Sequence, residues 1–402
     1  MRSMRWMLAW LLAAILAWPV AGGAEGVSLY TASCFAGSDP CAMEYIQLLR
    51  AFEEETGCRV LDDSRESSES WKKQILNDFA AGNEPDVLFF FAAGADSVPL
   101  LPRVVPVDEI NRAYPGLNLR EEELLREADG HVYAVPVRPY WEGLMINTEL
   151  FERYGAPWPT TWERFLEAVR IFHAAGIVPL AVSLTDSPHY LAEMAVLCCA
   201  TEEEQQARPA TAEEVPASWR EAMGLIRELA EMGAFPENAN ATDAATTTAL
   251  FLEGKAAMQV DGSWFATSLS PEQMERTAVL PVPSRHGETE NTPYIGGVSM
   301  GFYLTRRAWE HPATREPAVR LLDYLTNEEN ARQLSAIRLS GVTLETAEKM
   351  TAPANRMLRP IQDDMNAAAR ETWLLECVSA VAEGTMTPEA CWERVMALHP
   401  FE

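Results

Sequence analysis

The hydrophobic and polar positions after residue 26 follow two different periods. Short apolar runs at 27–31, 59–62 and 86–91 have the length and composition of strands. Between them, the segments 43–56 and 71–82 repeat apolar residues every three to four positions, which is the period of an amphipathic helix. The run 86–91 does not alternate, as expected for a central strand covered on both faces. The order strand, helix, strand, helix, strand predicts an α/β layer.

A second α/β region follows the turn signal Asp129-Gly130. Its pattern predicts strands at 143–146, 178–183, 278–283 and 295–304, and helices at 162–175, 191–200, 219–232, 318–325, 328–337, 361–382 and 388–398. The segment 201–216 has little periodicity and is predicted to be an exposed connection. The chain shows no internal repeat.

The ends of the predicted strands indicate where a ligand would bind. In open α/β sheets, ligands bind outside the carboxyl ends of the strands. Three loops of the first region satisfy this condition: 33–40, 64–70 and 92–97. We therefore expect binding residues in these loops.

The first 24 residues have a pattern of their own. Arg2 and Arg5 precede an apolar run at 6–18, and small residues follow at 21–24, which is the order of an export signal. The run is shorter than the roughly 20 residues that a membrane-spanning helix needs. We expect an exported protein, periplasmic or extracellular, that is soluble after cleavage or membrane-associated through an uncleaved signal or a permease.

The charge of the chain excludes one class of partner. The sequence has 59 acidic and 32 basic residues, and loss of the two signal arginines would change the formal net charge from -27 to -29. Such a surface repels phosphate groups, so a nucleic-acid function is not expected. The acidity can serve solubility, or it can attract a cationic ligand.

The seven cysteines permit disulfides in an exported chain but leave one over. The closest pairs to test are Cys34 with Cys41 and Cys377 with Cys391, whereas the adjacent Cys198 and Cys199 fit core packing in an apolar helix. No CxxC spacing occurs and no histidine lies near a cysteine pair, so no metal and no cofactor are expected.

Catalytic motifs are weak in this sequence. The GxSxG pattern at 297–301 places Ser299 where a hydrolase nucleophile would lie, but strand-like residues follow it where a helix is needed. Gly254-Lys255 lacks the Ser or Thr and the earlier glycine of a phosphate loop. No enzyme is expected. The many carboxylates still leave a secreted glycoside hydrolase open as an alternative.

Four groups of residues follow one another in a fixed order. They are FAAGNEPDV at 79–87; DGHVYAVP at 129–136 with GLMINTELF at 143–151, PTTWERF at 159–165 and GIVP at 176–179; FLEGKAAM at 251–258 with GSW at 262–264; and LPVP at 280–283 with Gly296-Gly297 and the helix 318–334. In this order they resemble the extracellular solute-binding proteins of ABC transporters, family 1, the sugar-binding, maltose-binding-protein-like group.

The resemblance implies an α/β, two-lobed periplasmic-binding-protein-like fold (type II), in which each lobe is a sheet flanked by helices. Lobe 1 would comprise 25–135 and 281–328, and lobe 2 would comprise 136–280 and 329–402. Crossing segments are expected near 134–137, 280–283 and 326–330. A solute would bind in the cleft between the lobes, and the protein is expected to be a monomer.

The resemblance also implies site residues. Trp264 resembles the family's stacking tryptophan, with core packing as the alternative, and Asp261 would accept sugar hydroxyls or cap a helix. Tyr140 and Trp141 fall where family members place cleft residues, or they pack in the core, and Glu142 would accept hydroxyls. Candidates on or near predicted strand ends in lobe 1 are Ser33, Phe35, Ser38, Glu69, Trp71, Asp96, Tyr294 and Gly297. Of these, Trp71 also fits the apolar face of its helix.

The expected function is capture of a sugar or oligosaccharide and its delivery to the membrane permease subunits of an ABC transporter. The alternative is a binding protein for a cationic solute, a polyamine or quaternary ammonium, in which Trp141 and Trp264 would form cation–π walls.

Overall fold

The structure is a computed structural model that describes residues 26–37, 39–122, 125–287, 293–335 and 337–401. The predicted export signal and Ser38 lie outside these residues. Nine strands are present in the described part: β1 Ser28–Ala32, β2 Arg59–Asp62, β3 Val87–Phe91, β4 Val135–Asn147, β5 Val178–Ala181, β6 Ala256–Gly262, β7 Thr277–Leu280, β8 Tyr294–Leu304 and β9 Met357–Leu358. None of the helices described there is long and apolar enough to cross a membrane.

The α-helices of the described chain occur between and after these strands. They are α1 Ala42–Thr56, α2 Glu69–Ala81, α3 Val107–Ala113, α4 Thr148–Tyr154, α5 Trp162–Ala174, α6 Pro188–Cys199, α7 Glu202–Gln205, α8 Ala217–Glu231, α9 Ala244–Leu252, α10 Pro271–Met274, α11 Arg306–Glu310, α12 Arg315–Thr326, α13 Glu328–Ser335, α14 Gly341–Met350, α15 Ala367–Glu371, α16 Val378–Ala382 and α17 Pro388–Met396.

The strands form one continuous sheet in the order β2-β1-β3-β8-β4-β6-β5, with β7 paired to β4 and β9 paired to β8. β1, β2 and β3 run parallel to one another, as do β5 and β6, whereas β8 and β4 are antiparallel to their neighbours in this order. β4 and β8 are the longest strands, with 13 and 11 residues. They pair with each other and so connect the two halves of the sheet.

Two large hydrophobic cores lie on this sheet, one in each lobe. The first contains a stack in which the ring of Phe35 lies 4.6 Å from Tyr45 and 4.4 Å from Phe89, centroid to centroid. The second contains Trp219 and Trp373, each about 5 Å from Trp392, at centroid distances of 5.0 and 5.3 Å. Separate cores explain how the chain forms two α/β lobes, as the predicted fold class requires.

β4 leaves the first core after Val137, next to the predicted crossing at 134–137, whereas the other two crossings lie at other places than predicted. Val282 and Ile295 pack in the second core, and Arg285 pairs with Glu221 and Glu228 of α8, so the segment after β7 still belongs to lobe 2. β8 then makes the crossing. Leu334 packs in the first core, so α13 belongs to lobe 1, although the prediction began lobe 2 at residue 329. The sequence did not reveal these side-chain contacts, since prolines indicate extended chain and not its position.

The C-terminal region also differs from the predicted single helix at 361–382. A 3₁₀ helix covers Ile361–Asp364, α15 begins after Asn366, and a π-helical segment at Thr372–Cys377 leads into α16. The side chain of Asn366 accepts a hydrogen bond from the amide of Ala369 and so defines a new helix start.

The segment 201–216, which was predicted to be an exposed connection, contains α7. Its Thr201 and Glu204 form a capping box, a local signal that periodicity does not detect.

Two sequence features have structural roles here. Ser299 lies within β8 and its hydroxyl donates to the carbonyl of Arg138 at 3.4 Å, so it is not at a nucleophile elbow.

All seven cysteines are described and buried, and none forms a disulfide. The thiols of Cys377 and Cys391 are hydrogen-bonded to each other.

The side chain of Arg138, on β4, connects three segments of lobe 1. Its guanidinium donates to both carboxylate oxygens of Asp39 at 2.7 and 2.8 Å and to the carbonyl of Leu334 at 3.2 Å, and it lies 4.7 Å from the centre of the Phe35 ring. Lysine cannot make this two-pronged bond. We expect Arg138→Lys to lower the free energy of unfolding by about 1–2 kcal/mol.

Urea denaturation of the variant and the wild type would measure this difference. Arg112→Lys is a suitable control, because Arg112 is largely exposed in its pair with Asp108 and contributes little. Equal stabilities of the two variants would show that the Arg138 contacts do not stabilise lobe 1.

Candidate functional site

A cavity of about 290 Å³ lies at the carboxyl ends of β5 and β6. These strands are parallel, so their carboxyl ends meet at the same edge of the sheet. The first residues of α6 and α9 and a 3₁₀ helix at Ser263–Ser268 complete the wall. Its polar lining consists of Ser183, Ser187, Tyr190, Thr247, Thr248, Gln259, Asp261, Trp264, Thr267 and Ser268. The cavity is near the lower size limit of small-molecule sites.

Trp264 is on the wall of this cavity and is not a core residue. Its indole folds back over Gly262, where an added Cβ would lie 2.2 Å from Cζ2, so only glycine permits this position. The side chain is 38% exposed, and Nε1 donates a hydrogen bond to the hydroxyl of Tyr190 at 3.0 Å. Gly262 therefore permits this position of the indole, which stays more than one third exposed.

Two tyrosines extend the surface of Trp264. The Tyr140 ring lies 5.7 Å from the Trp264 ring and the Tyr190 ring 6.3 Å, centroid to centroid, at interplanar angles of 34° and 38°. Tyr140 comes from β4, where it lies against Gly297 of β8, and Tyr190 comes from the first turn of α6. We call these three residues the aromatic wall. A curved set of rings of this kind can cover the apolar face of a flat ligand.

Asp261 lies at the base of the cavity and is 8% exposed. Its carboxylate accepts hydrogen bonds from the amide of Gly262 at 2.7 Å and from Nε2 of Gln259 at 2.8 Å. Burial raises the pKa of Asp261 to about 6, although these donors and those of Trp264 and Tyr190 act in the opposite direction. Asp261 therefore carries a negative charge at neutral pH.

Three more acids lie behind the aromatic wall, and with Asp261 we call them the acid cluster. Glu142 of β4 is 8% exposed and lies opposite Gly262 in the pairing of β4 with β6. Glu193 of α6 accepts from the amide of Gln362 at 2.9 Å through Oε1, whereas its Oε2 is buried without a partner. Burial raises the pKa of Glu193 to about 8 and that of Asp363 to about 6, and burial and the neighbouring acids raise that of Glu142 strongly.

Lobe 1 contacts lobe 2 next to the acid cluster. Asp96 pairs with Lys72 of its own lobe at 3.2 Å and with Arg370 of lobe 2 at 3.6 Å. Gly94 faces the backbone of Asp363 closely, since an added Cβ would lie 3.3 Å from its carbonyl oxygen. The two lobes thus meet at Gly94 to Asp96 in this structure.

The structure brings together five of the predicted site residues: Tyr140, Glu142, Asp261, Trp264 and Gly297. Asp96 contributes to the contact between the lobes described above. Trp141 is half-buried and packs against two small clusters around Phe265 and Met350, and Tyr294 packs against the second of these.

Other predicted residues are positioned away from the cavity. Phe35 is 1% exposed in the aromatic stack of lobe 1, Trp71 is 3% exposed on the core face of α2, and the buried Ser33 hydroxyl is bonded to that of Ser64. The loop after β1 turns inward, so its position at the strand end did not make Phe35 available to a ligand. Ser38 and the side chain of Glu69, the first residue of α2, lie outside the described residues.

Sequence reasoning missed most of the polar cavity lining, including Tyr190 and Gln259, and the buried acids Glu193 and Asp363. The strand-end rule was applied to lobe 1 alone, and applied to β5 it would have indicated the segment before α6 and hence Tyr190. Glu193 is the one acid of the apolar helix α6, which was a usable signal. Gln259 and Asp363 had no such signal.

The described residues do not support a metal site, since they contain no group of three or more His, Cys, Asp or Glu side chains arranged to hold an ion. The site instead combines an uncovered aromatic surface, hydroxyls and carboxylates. This combination suits a ligand with both an apolar face and hydrogen-bonding groups.

Solved structures with similar folds are numerous. A chitin oligosaccharide binding protein aligns with a TM-score of 0.77 and 20% identity over 93% of this chain and 98% of that chain. A protein studied for xylan utilization in the thermophilic bacterium Caldanaerobius polysaccharolyticus aligns with a TM-score of 0.75 and 20% identity over 92% and 99%. The maltose/maltodextrin-binding domain of Bdellovibrio bacteriovorus, bound to maltotriose, aligns with a TM-score of 0.65 and 17% identity over 93% and 98%.

At these identities the likeness establishes the fold, which is the two-lobed type II solute-binding fold. Among curated protein sequences, none is a significant match to this chain. The family model of the bacterial extracellular solute-binding proteins, in contrast, matches residues 42–332, which is more than half of the sequence. The chain therefore belongs to the bacterial extracellular solute-binding protein family.

Proposed function

We propose that this protein captures a sugar or oligosaccharide in the cleft between its lobes and delivers it to the permease of an ABC transporter. The observation that carries this proposal is the aromatic wall beside a cavity lined by hydroxyls, an amide and a carboxylate. A pyranose needs an aromatic ring against its C–H face and planar polar groups for its hydroxyls. The similar structures that carry chitin oligosaccharide and maltotriose in their descriptions support this ligand class.

Capture would proceed through closure of the lobes. Ligand would bind first to the aromatic wall and cavity of lobe 2, and the contacts of Gly94 and Asp96 with lobe 2 would hold the lobes together in the closed form. A ligand shifts such an equilibrium only by binding the closed form more tightly. The closed form would be recognised by the permease, after export directed by residues 1–24.

A second candidate is a binding protein for a polyamine or quaternary ammonium ion. Asp261 beside the aromatic wall favours it, because a carboxylate attracts a cation and aromatic rings can contact one. The carboxylates of the acid cluster also keep a glycoside hydrolase as a candidate to be tested.

Thermal unfolding of the purified protein with a panel of ligands would distinguish these functions. The panel contains maltotriose, xylotriose, N-acetylated and free glucosamine oligosaccharides, spermidine, glycine betaine and amino acids. A ligand that binds only the native state raises its unfolding temperature, by several degrees at saturation. We expect stabilisation by an oligosaccharide that is recovered intact. Stabilisation by spermidine or betaine alone, or appearance of hydrolysis products, would contradict the proposal.

A further inference from the structure

The cavity presents hydrogen-bond acceptors with no cationic side chain beside them. Among its described lining residues, Asp261 is the one that carries charge. The amide of Gln259 donates its Nε2 hydrogen to Asp261, and this orients its Oε1 as the remaining group. That Oε1 is buried without a partner, in a residue only 3% exposed. A buried acceptor without a partner costs free energy, so the site is suited to a ligand that supplies donors.

The donors near Asp261 are already used. The Gly262 amide and Gln259 Nε2 bind its carboxylate, and the Tyr190 hydroxyl interacts with it too. The indole N–H of Trp264 is bonded to Tyr190. These groups stabilise the Asp261 carboxylate in its charged form but leave the cavity with a negative charge that no described lysine, arginine or histidine of its lining neutralises.

The other acids of the cluster lie behind Asp261. Glu142 lies close enough to Asp261 and Tyr190 to interact electrostatically with both, and Glu193 lies close to Glu142 in the same way. Burial raises the pKa of Glu142 and Glu193 and so favours their neutral forms, while Arg359 and Arg370 act on Asp363 and Arg208 acts on Glu193. The positive charge of a ligand in the cavity would therefore be paired with Asp261.

We propose that the captured sugar carries a free ammonium group, so that the protein is a receptor for amino sugars such as unacetylated glucosamine oligosaccharides. This inference rests on the proposed sugar-binding function. The pyranose ring would lie on Trp264, and the ammonium group would donate to Asp261 and to Oε1 of Gln259. An ammonium has three donors and no acceptor, which matches the acceptors left in the cavity.

Isothermal titration calorimetry at pH 7 with three matched disaccharides tests this assignment. The ligands are the glucosamine disaccharide with free amines, its N-acetylated form, and cellobiose, which has hydroxyls at the same positions. We expect the free-amine form to bind at least 10-fold more tightly than either neutral sugar. Asp261→Asn is expected to remove most of that preference while changing the affinity for the neutral sugars less than threefold.

Glu163→Gln is the control variant, because it removes one negative charge from an exposed position on α5. It should keep the preference for the free amine. If Asp261→Asn does not fold, as judged by its thermal unfolding, Gln259→Met provides a second test, because it removes the unpartnered Oε1, and it is expected to reduce the preference several-fold. Because the comparison of ligands needs only the wild-type protein, failure of a variant to fold does not prevent the test.

The outcomes separate this inference from the proposed function. Equal or tighter binding of a neutral disaccharide overturns the amino-sugar assignment and leaves the sugar-binding function standing. A preference for the free amine that survives in Asp261→Asn and Gln259→Met overturns the role of these two residues. Binding of spermidine with none of the three sugars overturns both proposals.

Discussion

Replacing Trp264 with alanine is expected to weaken oligosaccharide binding by roughly 50- to 100-fold. The uncovered face of its indole would lose on the order of 100 Å² of apolar contact, which at about 25 cal/mol per Å² corresponds to about 2.5 kcal/mol. Calorimetric titration with the oligosaccharide that most raises the unfolding temperature would measure the loss. Because the ring lies on the surface of the cleft, the unfolding temperature without ligand should change by only a few degrees.

Trp158 offers a matched control for this variant. It is 39% exposed, nearly the same as Trp264, and it does not line the cavity. Trp158→Ala should therefore bind within about twofold of the wild type. Binding of Trp264→Ala within threefold of the wild type would show that the aromatic wall does not hold the ligand.

The fold could be predicted to a large extent from local patterns. The helices α1, α5 and α8 and the strands β1 and β8 differ from their predicted bounds by at most two residues. Each has a clear period, and α1 ends at Gly57 in the left-handed conformation that favours glycine. Prediction failed in the C-terminal segment 361–382, whose periodicity indicates one helix. Helix caps and side-chain packing divide this segment into shorter elements.

The candidate site was predictable only in part, for a different reason. Trp264 was found because a glycine before a tryptophan matched a family motif, and the structure explains the glycine by the indole that lies over it. Phe35 was mispredicted because a strand end determines where a loop lies and not the direction of its side chains. The rule that ligands bind at the carboxyl ends of strands therefore identified loops. The burial of each side chain decides which residues of those loops can face a ligand.

The acid cluster could not be predicted as a cluster, since its members come from four separate segments. Glu142, Glu193, Asp261 and Asp363 lie on β4, α6, β6 and the 3₁₀ helix before α15. The family resemblance selected Glu142 and Asp261, but in a chain with 59 acids the sequence gives no reason to place Glu193 and Asp363 beside them. Their association depends on the pairing of β4 with β6 and on the contact between α6 and the segment at 361–364.

Glu193→Gln is expected to stabilise the protein at alkaline pH. Burial raises the pKa of Glu193 from 4.5 to about 8, so its protonated form stabilises the fold at low pH and that contribution is lost as the pH rises from about 4.5 through 8. At about 1.4 kcal/mol per pH unit, the loss by pH 8.5 is on the order of 2–5 kcal/mol. Glutamine stays neutral, keeps an acceptor for the Gln362 amide, and adds a donor in place of Oε2.

Thermal unfolding of ligand-free protein at pH 5 and pH 8.5 would measure this effect. The wild type should lose stability between these values, because Asp261 and Asp363, with pKa values of about 6, ionise in the same interval and Glu142 faces the same cluster. Glu193→Gln should unfold several degrees above the wild type at pH 8.5 and close to it at pH 5. The exposed Glu203→Gln should follow the wild type at both. A Glu193→Gln variant that is equally destabilised at both pH values would show that Glu193 is ionised throughout, anchored by the Gln362 amide and by nearby Arg208.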